Sequence, residues 1–395
     1  MINAEKKYLF SLESKGIRLG LKRTKELLKK CNSPHKNLNI IQIVGTNGKG
    51  SSSAILAKLL NLEYSVGLYT SPHLYSFNER IRVDGKPIPN KIVSQFIKKH
   101  KNDIELVGAS FFEVLTVMAV WYFSQKEVDY AIMETGLGGK FDSVTACGAK
   151  IVGITSISMD HAHILGNNIL DIANEKVAAI MPKSTVFSVL QSKKVNEKIK
   201  QQCELQNSKL NFIKTDYNID LSLKGDHQKQ NASLALAISK NILKSNHNDI
   251  NNCLMSINWY GRNQLIDTNP DIIFDVAHNE DGINSFLKYI KDSNKVYNKK
   301  ILLLSIQKKK DIKKVSGKLD AFFDKKIYSL TNSERSMEYL QIQNYFNTID
   351  YIENPNEALK TVIKNAKKTD LVAIIGTHYW GEALKHFFNI CFDNI

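Results

Sequence analysis

Short apolar runs recur along the chain, separated by stretches whose apolar positions fall at helical spacing. "NIIQIVG" (39–45), "SVGLYT" (65–70), "VDYAIMET" (128–135), "KIVGITSI" (150–157) and "TVFSVL" (185–190) read as buried strands. Stretches 51–63, 110–125 and 170–181 read as helices between them. Strand alternating with helix predicts an α/β fold, a mostly parallel sheet covered by helices. The pattern resumes in the last third. "DIIFDVAHN" (271–279), "KKILLLSI" (299–306), "KKIYSL" (325–330) and "LVAIIGT" (371–377) read as strands, and 280–292, 311–323 and 356–366 as helices. Between the blocks lies the polar "NDINNCLMSINWYGRNQLI" (248–266), with a Gly-Arg turn, which places a domain join near 259–264. The expectation is a P-loop-type, mostly parallel domain over 1–258 and a smaller Rossmann-like α/β domain over 259–395. The length of 395 residues, too long for one ordinary core, points the same way.

Composition narrows the partners. With 43% apolar residues the chain can bury large cores, yet it has no run long enough to span a membrane. The N-terminus lacks the apolar core of a signal peptide. Five scattered cysteines (Cys31, Cys147, Cys203, Cys253, Cys391) show neither metal spacing nor a redox pair, as expected in a reducing cytoplasm. The net charge of +15 favours anionic partners, although a lysine-rich composition produces surface charge without any partner. The basic runs Lys193-Lys194, Lys308-Lys309-Lys310 and Lys367-Lys368 lack interleaved aromatic residues, so they read as solvated charge, and no nucleic-acid partner is expected.

Candidate chemistry begins at "GTNGKGS". A buried strand ends at Val44, and Gly45 opens a turn through Thr46, Asn47, Gly48, Lys49 and Gly50 into a helix starting near Ser51. Gly48 and Gly50 let backbone N–H groups approach phosphate oxygens, and the helix directs its positive end to the same place. Lys49 is placed to neutralise β- and γ-phosphates, and Ser51 or Ser52 to offer a hydroxyl to magnesium or phosphate. Gly50 separates the lysine from the serine, so this is a variant of the commonest loop. Magnesium requires hard oxygen ligands. Ser71, Glu134 and His161 each follow a predicted strand, where ligand sites of open α/β sheets lie.

Taken in order, "GTNGKGS", "TSPHL…NERIRVDG", "ETGLGGKFDS", "TSISMDHAHILG", "NEKVAAI", "GDHQKQNASLAL", "YGR" and "FDVAHNEDG" resemble the folylpolyglutamate synthase and dihydrofolate synthase family of the Mur ligase superfamily. The resemblance runs from about Leu19 to "GTHYWGE". It implies an ATP-dependent ligase of folate biosynthesis that joins L-glutamate to dihydropteroate or to reduced folate polyglutamates through an acyl phosphate. It implies ATP contacts at Thr46 through Ser51, at Asn231 for the base, and at Arg262 and Asp275 from the join and the C-terminal glutamate ligase domain. Magnesium would be held by Ser51, Ser71, Glu134 and His161, with Lys49, His161 and Lys176 catalytic. Lys176 matches a lysine that the family carries as a carbamate, whereas composition alone allows a solvated helix lysine. The pterin side would comprise Leu19, Gly20 and Leu21, then Ser110, Phe111, Phe112 and Glu113, then Phe141, Asp142 and Ser143. Lys140 and Phe141 stand where the family commonly has Arg and Leu, and "AHNED" replaces a frequent Ala-His-Asn-Pro.

Neither the residues nor the resemblance gives the oligomeric state, for which a monomer is the expectation. Two other readings stay open here: a Mur-type ligase acting on a cell-wall precursor, and a nucleotide-gated binding protein.

Overall fold

The apolar runs become the central strands of two sheets. The structure is a computed structural model, and it describes residues 4–16, 18–393 and 395. The first sheet comprises β1 (Asn39–Val44), β2 (Val66–Tyr69), β3 (Ile81–Val83), β4 (Lys86–Pro87), β5 (Tyr130–Glu134), β6 (Ile151–Ile154), β7 (Thr185–Val189) and β8 (Lys209–Ile213). Their spatial order is β4-β3-β2-β5-β1-β6-β7-β8. Only the β2–β3 and β3–β4 pairs are antiparallel.

β1 sits in the middle, parallel to β5 on one side and β6 on the other, with Ile43 opposite Glu134 and Val44 opposite Ile154. This register brings the ends of three strands to one edge, so Gly45, Glu134 and the segment after β6 are neighbours. Covered on both faces, β1 is a continuous apolar run rather than an alternating one. Its one buried polar residue, Gln42, donates to Thr135 Oγ1 at 2.9 Å and Thr145 Oγ1 at 2.8 Å, which offsets its desolvation. Ile40 and Val44 face a core shared with the helix Phe111–Gln125. Ile41 and Ile43 face one shared with the helices Lys49–Leu60 and Asp226–Ser239. Wedged between sheet and helix, Lys49–Leu60 is buried nearly all round, which its small and apolar residues permit.

The second sheet comprises β9 (Gln264–Asp267), β10 (Asp271–Phe274), β11 (Lys300–Leu304), β12 (Lys325–Tyr328), β13 (Asp350–Tyr351) and β14 (Leu371–Ile375). Its order is β13-β12-β11-β14-β10-β9, parallel except for β9 against β10. The helix Glu280–Asp292 falls on the predicted 280–292. The run 271–279 divides after Phe274. There the Asp275 carboxylate accepts from the Asn263 and Ala277 N–H groups, both at 2.7 Å, and turns the chain out of the sheet. The run 150–157 likewise stops at Ile154, because the next residues bond the glycine-rich loop after β1 (Thr46 N–H to Ser156 O, 2.7 Å). No described helix is long and apolar enough to cross a membrane.

Candidate active site

A cleft of about 950 Å³ opens where the strand ends of the two sheets face each other. At its floor the loop after β1 turns through Gly48, whose φ of 87° suits glycine. A Cβ at Gly48 would lie 2.1 Å from Asn231 Oδ1, so the loop and the helix Asp226–Ser239 fit only without a side chain there. Lys49 Nζ folds back to Thr46 O at 2.9 Å, and Thr46 Oγ1 donates to Ser158 O at 3.0 Å. Ser51 Oγ, at the start of the helix, is buried with no hydrogen-bond partner. A phosphate oxygen or a hard cation would satisfy it, so the residues present fit both ATP and magnesium.

Glu134 ends β5 and is buried. Its Oε2 accepts from the Ser71 N–H at 2.9 Å and lies against Gly50. Burial raises its pKa, while Lys49 and the Ser71 N–H oppose the rise. A carboxylate with so few donors in a dry site gains from a cation. His161 sits at the start of a short helix after β6, on the other side of the loop. Burial, with Lys310 next, pushes its imidazole down to about 3, so the ring is neutral and keeps a ligating lone pair.

Lys176 overturns the solvated alternative. It is 4% exposed, and its ammonium donates to Gly45 O at 2.7 Å. Burial, with Lys49 adding repulsion, pushes it down to about 7. The "GLGG" turn packs on this segment: a Cβ at Gly139 would lie 2.6 Å from Glu175 O. Asp275, buried, and Arg262, partly exposed, enter from beside the second sheet. Arg262 donates to Gly261 O at 2.9 Å, and its charge opposes the rise that burial imposes on Asp275. Thr46 through Ser51, Ser71, Glu134, His161, Lys176, Asn231, Arg262 and Asp275 thus all line one cleft.

The residues read as the pterin side divide. Leu19 and Phe141 line the cleft at 48% and 39% exposure, unusually open for their size, and they suit a flat apolar ring. Ser110, Phe111, Phe112, Glu113, Asp142 and Ser143 also line it, but the polar side chains among them are engaged with protein. Glu113 caps the helix Phe111–Gln125 by accepting from Ser110 N (2.7 Å) and takes Arg23 Nε at 2.9 Å. Asp142 accepts from the N–H groups of Gly136, Leu137 and Val144. Ser143 Oγ accepts from Thr24 Oγ1 at 3.1 Å. Gly20 and Leu21 lie outside the lining and lead into the helix Lys22–Lys30.

The sequence reading missed several cleft residues. Asp160, His278, Asn279 and Lys310 form a knot between the sheets, with Lys310 Nζ 2.8 Å from Asp160 Oδ1. Asp160 stood in the quoted "SMDHAH", next to His161. Lys310 was hidden in a basic run read as solvated, yet its side chain is 8% exposed.

Residues 261–378 match the family "Mur ligase, glutamate ligase domain". The whole chain is similar to the dihydrofolate synthase/folylpolyglutamate synthase of Bacillus subtilis, at 28% identity over 92% of this chain and 94% of that one. A protein of the same name from Buchnera aphidicola subsp. Baizongia pistaciae is 30% identical over 84% of this chain and 82% of its own length. In three dimensions the chain resembles a Mycobacterium tuberculosis folylpolyglutamate synthase complexed with ADP and AMPPCP. The TM-score is 0.89 at 25% identity, covering 98% and 99% of the two chains.

Proposed function

The chain belongs to the folylpolyglutamate synthase and dihydrofolate synthase family of Mur-type ligases, and from there we propose that it is an ATP-dependent enzyme adding L-glutamate to a pterin carboxylate, with dihydropteroate and reduced folates both as acceptors. The observation that carries the reading is one cleft, in which a glycine-rich loop suited to phosphate, a buried carboxylate and a buried lysine face groups from a second sheet.

Amide formation needs an activated carboxyl. In our reading the acceptor carboxylate attacks the γ-phosphate, giving an acyl phosphate and ADP. The glutamate amine then attacks the acyl carbon, and phosphate leaves. The N–H groups of Gly48 to Ser51 hold phosphate oxygens, and Lys49 moves from Thr46 O to meet the transferring group. Ser51, Ser71, Glu134 and His161 are the residues to hold magnesium, which when bound offsets the negative charge gathering on the phosphoryl group. Leu19 and Phe141 seat the pterin ring. Asn231 faces the nucleotide base, while Arg262 and Asp275 reach ATP from the side of 259–395.

Lys176 acts in this reading as a carbamate. Near pH 7 a substantial share of its side chain is neutral. The free amine attacks CO₂ and releases one proton, which replaces a cation with an anion beside the phosphate loop. Because one chain supplies every group, we read the enzyme as a cytoplasmic monomer of two domains, 1–258 and 259–395, with no nucleic-acid partner. The test is product mass in separate reactions with dihydropteroate and with tetrahydrofolate. Each acceptor should gain glutamyl mass in step with ADP. Gain on one acceptor alone would remove the other activity.

A further inference from the structure

Asp160 is the meeting point of the two halves. Its Oδ1 takes Lys310 Nζ at 2.8 Å, and its Oδ2 takes Asn279 Nδ2 at 3.0 Å and lies 3.6 Å from His278 Nε2. Lys310 comes from the turn after β11, in the second sheet, yet its side chain reaches into the first half of the molecule. Its ammonium also lies 3.3 Å from His161 Nε2, a hydrogen-bonding distance to the ring nitrogen that a metal would take. One nitrogen lone pair cannot serve an ammonium and a divalent cation together, and at this separation in a mostly buried site the two cations repel strongly.

We propose that Lys310 is a resident cation of the metal site: it holds His161 Nε2 while no metal is bound, and metal loading exchanges it off His161 while it stays on Asp160. This rests on the reading of His161 as a metal ligand. The exchange needs little movement, because Asp160 Oδ1 keeps the ammonium in place as the imidazole lets go. Since Lys310 is carried by the second sheet and both Asp160 and His161 by the first, loading the metal removes one of its two ties across the cleft, to His161, and leaves the other, to Asp160. The position of residues 259–395 thereby becomes linked to metal occupancy.

The inference predicts an effect opposite to that of an ordinary active-site deletion. Removing a lysine that helped to bind the loaded site would weaken metal affinity, whereas removing a competitor strengthens it. The probe is Mn²⁺, titrated into nucleotide-free full-length protein and read by electron paramagnetic resonance. Lys310→Met should bind Mn²⁺ at least roughly tenfold more tightly than the parent, and Lys310→Arg should stay near the parent. Lys310→Gln, with its fold checked by near-ultraviolet circular dichroism, repeats the test if the methionine variant misfolds. Unchanged or weaker binding in the Lys310→Met or Lys310→Gln protein overturns the inference. His161→Ala separates the two levels of the argument. If it weakens Mn²⁺ binding while Lys310→Met does not tighten it, only the exchange is wrong. If His161→Ala leaves Mn²⁺ binding unchanged, the metal role of His161 falls, and the exchange with it.

Discussion

The Asn279 side-chain amide donates to Asn47 Oδ1 at 3.0 Å, tying the cap of a second-sheet helix directly to the glycine-rich loop after β1. Asn279 Oδ1 meanwhile accepts from Gly282 N–H at 2.9 Å, so one residue caps its helix and bridges the cleft. Asn47 adds a second tie, to Asp281 Oδ2 at 2.9 Å. These contacts separate closure from folding experimentally. Asn279→Ser keeps an oxygen for the cap but cannot reach Asn47, so ligation should fall while the melting temperature moves by only a few degrees. Asn279→Ala should lose about 1 kcal/mol more through the cap. Ligase rates with thermal melts check both, and wild-type turnover in Asn279→Ser would contradict the bridge's role.

Arg262→Ala should act in the same direction. The side chain enters beside the second sheet, so catalysis should suffer more than nucleotide binding. Comparing ADP affinity with turnover checks this, and an equal loss in both would place Arg262 in simple nucleotide binding.

Glu134→Gln removes charge at nearly constant shape. Glu134 is buried with few donors, so the amide should leave the fold intact and lower turnover by a factor on the order of 100 or more. Activity at saturating magnesium, followed beside circular dichroism, is the check. Full activity there would end the assignment.

Lys176 makes two predictions of opposite sign. For function, Lys176→Ala should lose most activity, and a short carboxylic acid in solution should restore part of it. For stability in CO₂-free buffer, below pH 7 the folded state holds a buried ammonium, at a cost on the order of 5 kcal/mol at most. Between about pH 7 and 10.5 only the unfolded chain keeps the proton, so that cost declines as pH rises. Lys176→Met should therefore melt above the parent at pH 6, and the gap should close toward pH 10. A gap independent of pH would mean that the lysine is not charged where it sits.

Phe141→Ala should raise KM for the pterin acceptor and leave KM for ATP unchanged, since the ring is a large apolar group left open in the cleft. Equal effects on both substrates would argue for a general disturbance of the "GLGG" turn.

What the sequence disclosed follows from where its signals are local. Gly45 to Ser51, Glu134 and His161 each follow an apolar run, and parallel pairing of β5, β1 and β6 carries their ends to one edge. Asp275 came only with the family resemblance, because the run 271–279 reads as one strand and hides the turn after Phe274. The strands that escaped notice are short or half-exposed. β4 has two residues, β8 lies half-exposed at the edge of the first sheet, and β9 is antiparallel at the rim of the second. Asp160, Asn279 and Lys310 escaped because their significance is only tertiary. Each is an ordinary polar residue until two sheets face each other, and Lys310 in particular differs from Lys308 and Lys309 only by its burial. Glu113 and Asp142 show the converse. Their motifs were visible, but the carboxylates serve the helix cap and the turn that shape the cleft.

The central claim is transfer of glutamate to a pterin, and it is tested most directly by supplying purified protein with ATP, magnesium and labelled L-glutamate. Dihydropteroate, tetrahydrofolate and a muramyl nucleotide are offered in parallel. We predict label in the pterin products, one ADP and one phosphate for each glutamate joined, and none on the muramyl nucleotide. Label on the muramyl nucleotide, or phosphate release that ignores the pterin, would contradict the assignment.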